Sequence, residues 1–198
     1  MKIGVLALQG VFIEHITILQ RLGAEASPIC LPNKLNNLDG LIIPGGESTT
    51  ILKLMQSFSF IQPLRALAKA GLPILGTCAG MICLANKVST HDMETLGVMD
   101  IVVRRNAFGR QIDSFETELP IPALGDRPFP AIFIRAPFVE RAAPQIEILA
   151  KLPSGIPVAC RQRKLMTTVF HPELTNGLRL HAYFLRIVAS TEEEDNRA

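Results

Sequence analysis

Pro73-Ile74-Leu75-Gly76-Thr77-Cys78-Ala79-Gly80-Met81 runs a strand-length apolar stretch into Gly-x-Cys-x-Gly and straight on into an apolar helix. A turn of this kind forces its central residue into a strained backbone conformation at the carboxyl end of a strand, and flanking glycines allow close backbone approach. Cys78 therefore reads as a nucleophile on an elbow. The amides and positive dipole end of the following helix favour thiolate over thiol and suit a developing oxyanion. The competing reading makes Cys78 a small buried hydrophobe, the usual fate of a cysteine, and the paired glycines weigh against it.

The strand-then-helix pattern recurs outward from the elbow. Residues 2–8 form a continuous apolar run, Gln9-Gly10 ends it, and Phe12, Ile16, Leu19 and Leu22 then repeat at helical spacing. Residues 26–31 and 40–43 read as strands, and 51–55 and 64–70 as helices. This alternation predicts an α/β fold with a doubly wound, mostly parallel sheet flanked by helices. Beyond about Met99 the chain turns to short extended segments at 101–104, 131–134, 146–151, 157–160 and 165–170, a strand-rich half suited to antiparallel additions. Residues 178–189 read as a last amphipathic helix, and 191–198 as a polar tail that frays.

A length of 198 residues favours one domain, 1–190, ahead of that tail. With 48% hydrophobic and 19% charged residues the chain can bury a sizeable core. Its formal charge of +2, with both signs mixed along the chain, offers no footprint for nucleic acid or an anionic membrane. The apolar runs are far shorter than the roughly 20 residues of a membrane span. Met1-Lys2 leads directly into structure, which leaves no room for a signal peptide and predicts a cytoplasmic location. Cys30, Cys78, Cys83 and Cys160 make no Cys-x-x-Cys pair and no metal-finger spacing, so reduced thiols and no metal are expected.

A cysteine nucleophile needs a base, and the candidates are His15, His91, His171 and His181. His15 and His181 fall inside predicted helices, where packing is the simpler role, and His91 falls in a polar loop. His171 follows a strand, in Phe170-His171-Pro172-Glu173. Open parallel sheets gather their sites at the carboxyl ends of strands, so His171 can meet Cys78 across the sequence. Residues i and i+2 of an extended segment point the same way, which lets Glu173 orient the imidazole as the acid of a triad. Pro44-Gly45-Gly46-Glu47-Ser48-Thr49 follows another strand; its glycines leave backbone N–H groups bare for an oxyanion, and Ser48 or Thr49 can cap the next helix.

Together, Gly76-Thr77-Cys78-Ala79-Gly80 and His171-Pro172-Glu173 resemble the class I (triad) glutamine amidotransferases. Leu8-Gln9-Gly10, Glu14-His15, Pro44-Gly45-Gly46-Glu47-Ser48-Thr49-Thr50, Arg105-Asn106-Ala107-Phe108-Gly109-Arg110-Gln111, Phe133-Ile134-Arg135-Ala136-Pro137 and Phe170-His171-Pro172-Glu173-Leu174 are similar to the glutaminase-subunit family of pyridoxal 5'-phosphate synthases. The resemblance covers essentially the whole chain. It implies a flavodoxin-like three-layer sandwich and hydrolysis of L-glutamine to glutamate and ammonia without a cofactor. In it Cys78 attacks the amide, His171 shuttles the proton and Glu173 orients His171. It further implies that Gly46, Glu47, Ser48, Arg105, Ile134 and Arg135 bind glutamine, Arg105 through the α-carboxylate, and that the N–H groups of Gly46 and Ala79 form the oxyanion hole. Ammonia then passes to a synthase subunit, in a large hetero-oligomer around a synthase ring, with Gln9 and Gly10 at the interface. The family's glutaminase is weak until docked. The alternatives are a glutaminase subunit of another pathway, a stand-alone cysteine hydrolase of the same fold, and a binding module that has lost catalysis.

Overall fold

The computed structural model describes residues 1–90, 92–105 and 114–195. In chain order the elements are β1 (Lys2–Leu6), α1 (Phe12–Arg21), β2 (Glu25–Ile29), β3 (Gly40–Ile43), α2 (Ser48–Ser57), α3 (Ile61–Lys69), β4 (Ile74–Thr77), α4 (Ala79–Leu84), β5 (Ala85–Val88), β6 (Met99–Arg104), β7 (Ser114–Leu119), β8 (Phe129–Ile134), β9 (Phe138–Ala142), β10 (Glu147–Lys151), β11 (Pro157–Gln162), β12 (Leu165–Thr168) and α5 (Arg179–Asp195). The last helix thus runs past the predicted end at residue 189. His91 and the segment 106–113, which contains most of the Arg-Asn-Ala-Phe-Gly-Arg-Gln motif, lie outside the described residues.

The main sheet has the order β10-β11-β12-β4-β3-β1-β2. β2, β1, β3, β4 and β12 are mutually parallel, the doubly wound order, while β10 and β11 add antiparallel strands at one edge. The central strands β3, β4 and β12 are buried at every residue, as strands covered on both faces must be. Edge strand β2 is mostly exposed and tolerates Pro28 because no further strand needs its missing N–H.

Side-chain alternation along β3 separates the two helical layers. A Cβ at Gly40 would meet Val188 and Phe184 of α5, whereas Ile43, three residues on and therefore on the other face, touches Gly80 of α4. His15 in α1 contacts His181 in α5, which puts α1 with α5. Three layers result, as expected.

Two smaller sheets flank the sandwich: β5-β6-β9, and the antiparallel ribbon β7-β8. The sequence reading takes the strands β6 and β8 but not their partners β5, β7 and β9. Those three are half-exposed and carry Asn86 and Lys87, Glu116 and Glu118, and Glu140 and Arg141, so no apolar run marks them. Among the described residues no helix is long and apolar enough to cross a membrane.

Candidate active site

Four neighbouring strands deliver the site from their carboxyl ends. In the order β12, β4, β3, β1, the segments that follow them carry His171, Cys78, Gly45-Gly46 and Gln9-Gly10, so residues distant in sequence become adjacent.

Cys78 has φ 48° and ψ −101°, a left-handed conformation unusual for a side-chain-bearing residue, and it is 7% exposed. Its N–H donates to Thr168 O at 2.8 Å, and its carbonyl accepts from Met81 N–H at 3.1 Å. Close packing explains the flanking glycines. A Cβ at Gly80 would lie 2.0 Å from Ile43 O, and one at Gly76 would lie 2.7 Å from the Gly80 backbone. Only glycine at both places lets α4 sit directly on β3 and β4, and that seating fixes the elbow.

His171 is anchored by its N–H to Ile132 O of β8 at 2.8 Å, and its Nδ1 lies 2.6 Å from Glu173 Oε1. Its ring and the Cys78 side chain both face Gly45, where an added Cβ would meet His171 Cε1 and Cys78 Cβ. Burial by itself pushes the His171 pKa down, but the hydrogen bonds and charges of Cys78 and Glu173 outweigh it and raise the value to about 10. The glycine at position 45 gives the ring its space, since a Cβ there would lie 2.4 Å from His171 Cε1.

A cavity of about 420 Å³ opens over Cys78, within the size range of small-molecule sites. Cys78, Ala79, His171, Gly46, Glu47, Ser48, Arg105, Ile134, Arg135 and Gln9 all line it, together with Val11 and Ile82, which the sequence does not single out. Glu173 stands behind His171, and Gly10 behind the glycine loop. Arg105, and not the exposed Arg104 before it, faces the cavity.

Glu47, rather than Ser48 or Thr49, caps α2. Its carboxylate accepts from Thr50 N–H at 2.8 Å and from the hydroxyls of Thr50 and Thr49, because its extended backbone and longer side chain reach back over the first turn. The other carboxylate oxygen takes Arg105 Nη2 at 2.8 Å. Burial pushes the Glu47 pKa up, but the Thr49 and Thr50 bonds and the Arg105 charge together outweigh it and leave it lowered overall. Ser48 Oγ is buried on the cavity wall with no hydrogen-bond partner among the described residues.

The glycine loop is tied to the β1 end at several points. Val11 N–H donates to Gly45 O at 3.1 Å, and Glu47 N–H donates to Gln9 Oε1 at 2.7 Å. Gly10 has φ 106°, and a Cβ on it would lie 1.9 Å from Gly45 O, so this contact tolerates glycine alone.

Residues 5–190 match the model of the SNO glutamine amidotransferase family. The chain is 56% identical over 189 residues to the pyridoxal 5'-phosphate synthase subunit PdxT of Dehalococcoides mccartyi, covering 94% of this chain and 97% of that one. It is 54% identical over 188 residues to the subunit of the same name from Moorella thermoacetica, covering 95% and 100%. A crystal structure described as a glutamine amidotransferase superposes with TM-score 0.90 at 45% identity, covering 94% of this chain and 98% of that one. At 17% identity, a putative GMP synthase subunit from Thermoplasma acidophilum shares the fold with TM-score 0.73.

Proposed function

The chain belongs to the SNO glutamine amidotransferase family, and from that premise we propose that it is the glutaminase subunit of a pyridoxal 5'-phosphate synthase. The observation that carries the reading is a cysteine in a strained left-handed turn that shares the wall of one cavity with Arg105 and with an imidazole that Glu173 holds from behind at 2.6 Å.

Cys78 Sγ attacks the side-chain carbonyl carbon of glutamine with its proton already resting on His171, whose raised pKa keeps the imidazole protonated. His171 returns that proton to the departing nitrogen, ammonia leaves, and a γ-glutamyl thioester remains. Water, deprotonated by His171, then attacks the thioester; glutamate departs and the thiol is restored. Glu173 keeps the imidazole in the orientation both transfers need. The N–H groups of Gly46 and Ala79 receive the oxyanion. Glu47 and Arg105 set a negative and a positive charge side by side at 2.8 Å, the pattern that an amino acid's ammonium and carboxylate complement, and Ser48 Oγ supplies a vacant hydrogen-bonding group. A nucleophilic thiol and three further free cysteines suit the reducing cytoplasm.

Gln9 and Gly10 form the contact with the synthase subunit, and the glutaminases sit around a synthase ring. The Gly45 carbonyl is held by Val11 N–H and Glu47 N–H by Gln9, so the Gly46 N–H, antiparallel to that carbonyl across a trans peptide, takes its direction from the Gln9-Gly10-Val11 segment. A partner that moves this segment resets the oxyanion hole, and one missing donor costs about 100- to 1,000-fold in turnover.

The test is ammonia release from glutamine as a function of synthase-subunit concentration, with Cys78→Ala as control. Turnover is expected to rise at least about tenfold on saturation and to vanish in the control. Full activity in the isolated chain with no response to the synthase identifies a stand-alone hydrolase instead.

A further inference from the structure

Behind the triad, under α1 and α5, lies a buried polar pair that the chemistry above does not use. His15 and His181 are both 0% exposed, and His15 Nδ1 lies 2.8 Å from His181 Nε2. On its other side His15 Nε2 stands 3.4 Å from Glu173 Oε2 and 3.3 Å from Thr77 Oγ1. Glu173 Oε1 is taken by His171, while Oε2 has no ordinary hydrogen-bond partner among the described residues. Thr77 immediately precedes Cys78, and its hydroxyl accepts Gly45 N–H at 3.0 Å. The pair therefore touches the triad's acid and, through one hydroxyl, the glycine loop.

We propose that His15 is a positioning residue: its Nε2–H donates to Thr77 Oγ1 at 3.3 Å and sets its positive end 3.4 Å from Glu173 Oε2, an ion–dipole contact that keeps the carboxylate turned so that Oε1 meets His171, while His181 Nε2–H donates to His15 Nδ1 and fixes that ring. This rests on the reading of Cys78, His171 and Glu173 as a triad.

Proton counting selects this arrangement. Burial and the neighbouring His181 and His171 hold the His15 pKa well below its ordinary value, and burial lowers that of His181 to about 4, so both rings are neutral at neutral pH. Each then carries one N–H, and a single proton occupies the 2.8 Å contact between them. Placed on His15 Nδ1, it would leave the Nε2 lone pair facing a buried carboxylate at 3.4 Å. Placed on His181 Nε2, it lets His15 turn an N–H toward that carboxylate. His181 Nδ1 is then unprotonated, which suits a buried atom with no hydrogen-bond partner among the described residues better than a stranded N–H would. An N–H behind the acid of a triad acts as the acid itself acts on the base: it removes a freedom of rotation.

The experiment uses the full chain with its synthase subunit. His15→Leu keeps the bulk and removes the donor; kcat is expected to fall about tenfold to a hundredfold, the scale of a small misplacement in a catalytic group, with the KM for glutamine unchanged. His15→Gln, whose amide can donate from nearly the Nε2 position, is expected to recover most of the loss. Wild-type kcat in His15→Leu, a KM that rises in step with the loss, or a His15→Gln as poor as His15→Leu each overturns the proposal. Should His15→Leu fail to fold, ¹⁵N NMR of the wild-type imidazoles decides: the expected state is protonated Nε2 and bare Nδ1 on His15, and the reverse tautomer or an imidazolium refutes it. That spectrum needs no turnover, so a chain that shows the expected tautomer but releases no ammonia fails as a glutaminase without touching the placement of the proton.

Discussion

Arg104 and Arg105 show how much one residue of register decides. Arg104 ends β6 with its side chain in solvent, and Arg105 turns the opposite way, lines the cavity and reaches Glu47 at 2.8 Å. Arg105→Lys replaces a planar fork by a point charge and is expected to weaken glutamine binding by roughly 1.5–3 kcal/mol, a rise in KM of about tenfold to a hundredfold with kcat little changed. Steady-state kinetics of the two single variants check this, with Arg104→Lys expected to behave as wild type. Cys78, His171 and Glu173 are legible in the sequence because each belongs to a short local pattern: a glycine-framed turn, a strand end, an i and i+2 pair. The histidine pair is not. His15 and His181 are 166 positions apart, and each sits in a helix where burial is the ordinary outcome. The inward stripe of α1 is His15, Ile18 and Leu19, whereas the apolar spacing marks Phe12, Ile16, Leu19 and Leu22, so the polar member of the buried face stays hidden until α5 is laid beside it.

Elements place the chemistry through packing as much as through hydrogen bonds. Phe170, next to His171, is fully buried with its ring centroid 5.8 Å from Phe129 and 5.7 Å from Phe133, so β8 and the segment after β12 share one aromatic cluster. The same two segments are joined by His171 N–H to Ile132 O at 2.8 Å. Phe170→Ala removes the central ring and is expected to cost about 3–5 kcal/mol of stability by urea unfolding. It also loosens His171, so at temperatures where the variant remains folded kcat should fall more than KM changes. The buried parallel strands that lead into His171 and the elbow are legible because strands covered on both faces are largely apolar. The small sheets were legible in part only: β5, β7 and β9 are half-exposed, pair locally, and mix charged residues with apolar ones in runs of four to six. The α2 cap is hidden for a related reason, since Glu47 caps with a carboxylate that Arg105 also holds, and nothing local in the sequence signals that contact.

For the whole molecule, the buried histidines make folding stability depend on pH in opposite senses on two sides of neutrality. Burial lowers His181 from 6.5 to about 4 and holds His15 well below 6.5, so on acidification the unfolded chain binds protons that the folded chain refuses. Their contribution is intact above about 6.5 and is lost progressively as pH falls through 4. His171 works the other way. Its folded pKa of about 10 exceeds 6.5, so the folded chain holds a proton that the unfolded chain releases; that stabilisation is complete below 6.5 and disappears as pH rises through 10. Urea midpoints measured from pH 4 to pH 10 are therefore expected to pass through a maximum near the ordinary histidine value of 6.5 and to decline on both sides. The two limbs can be separated. Hydrogen bonding and charge from Cys78 help to raise His171, so Cys78→Ala should flatten the alkaline limb while leaving the acid limb, set by α1 and α5, where it was. An alkaline limb unchanged in Cys78→Ala would mean that Glu173 alone retains the His171 proton, and that the thiol and the imidazole are not coupled in the free chain.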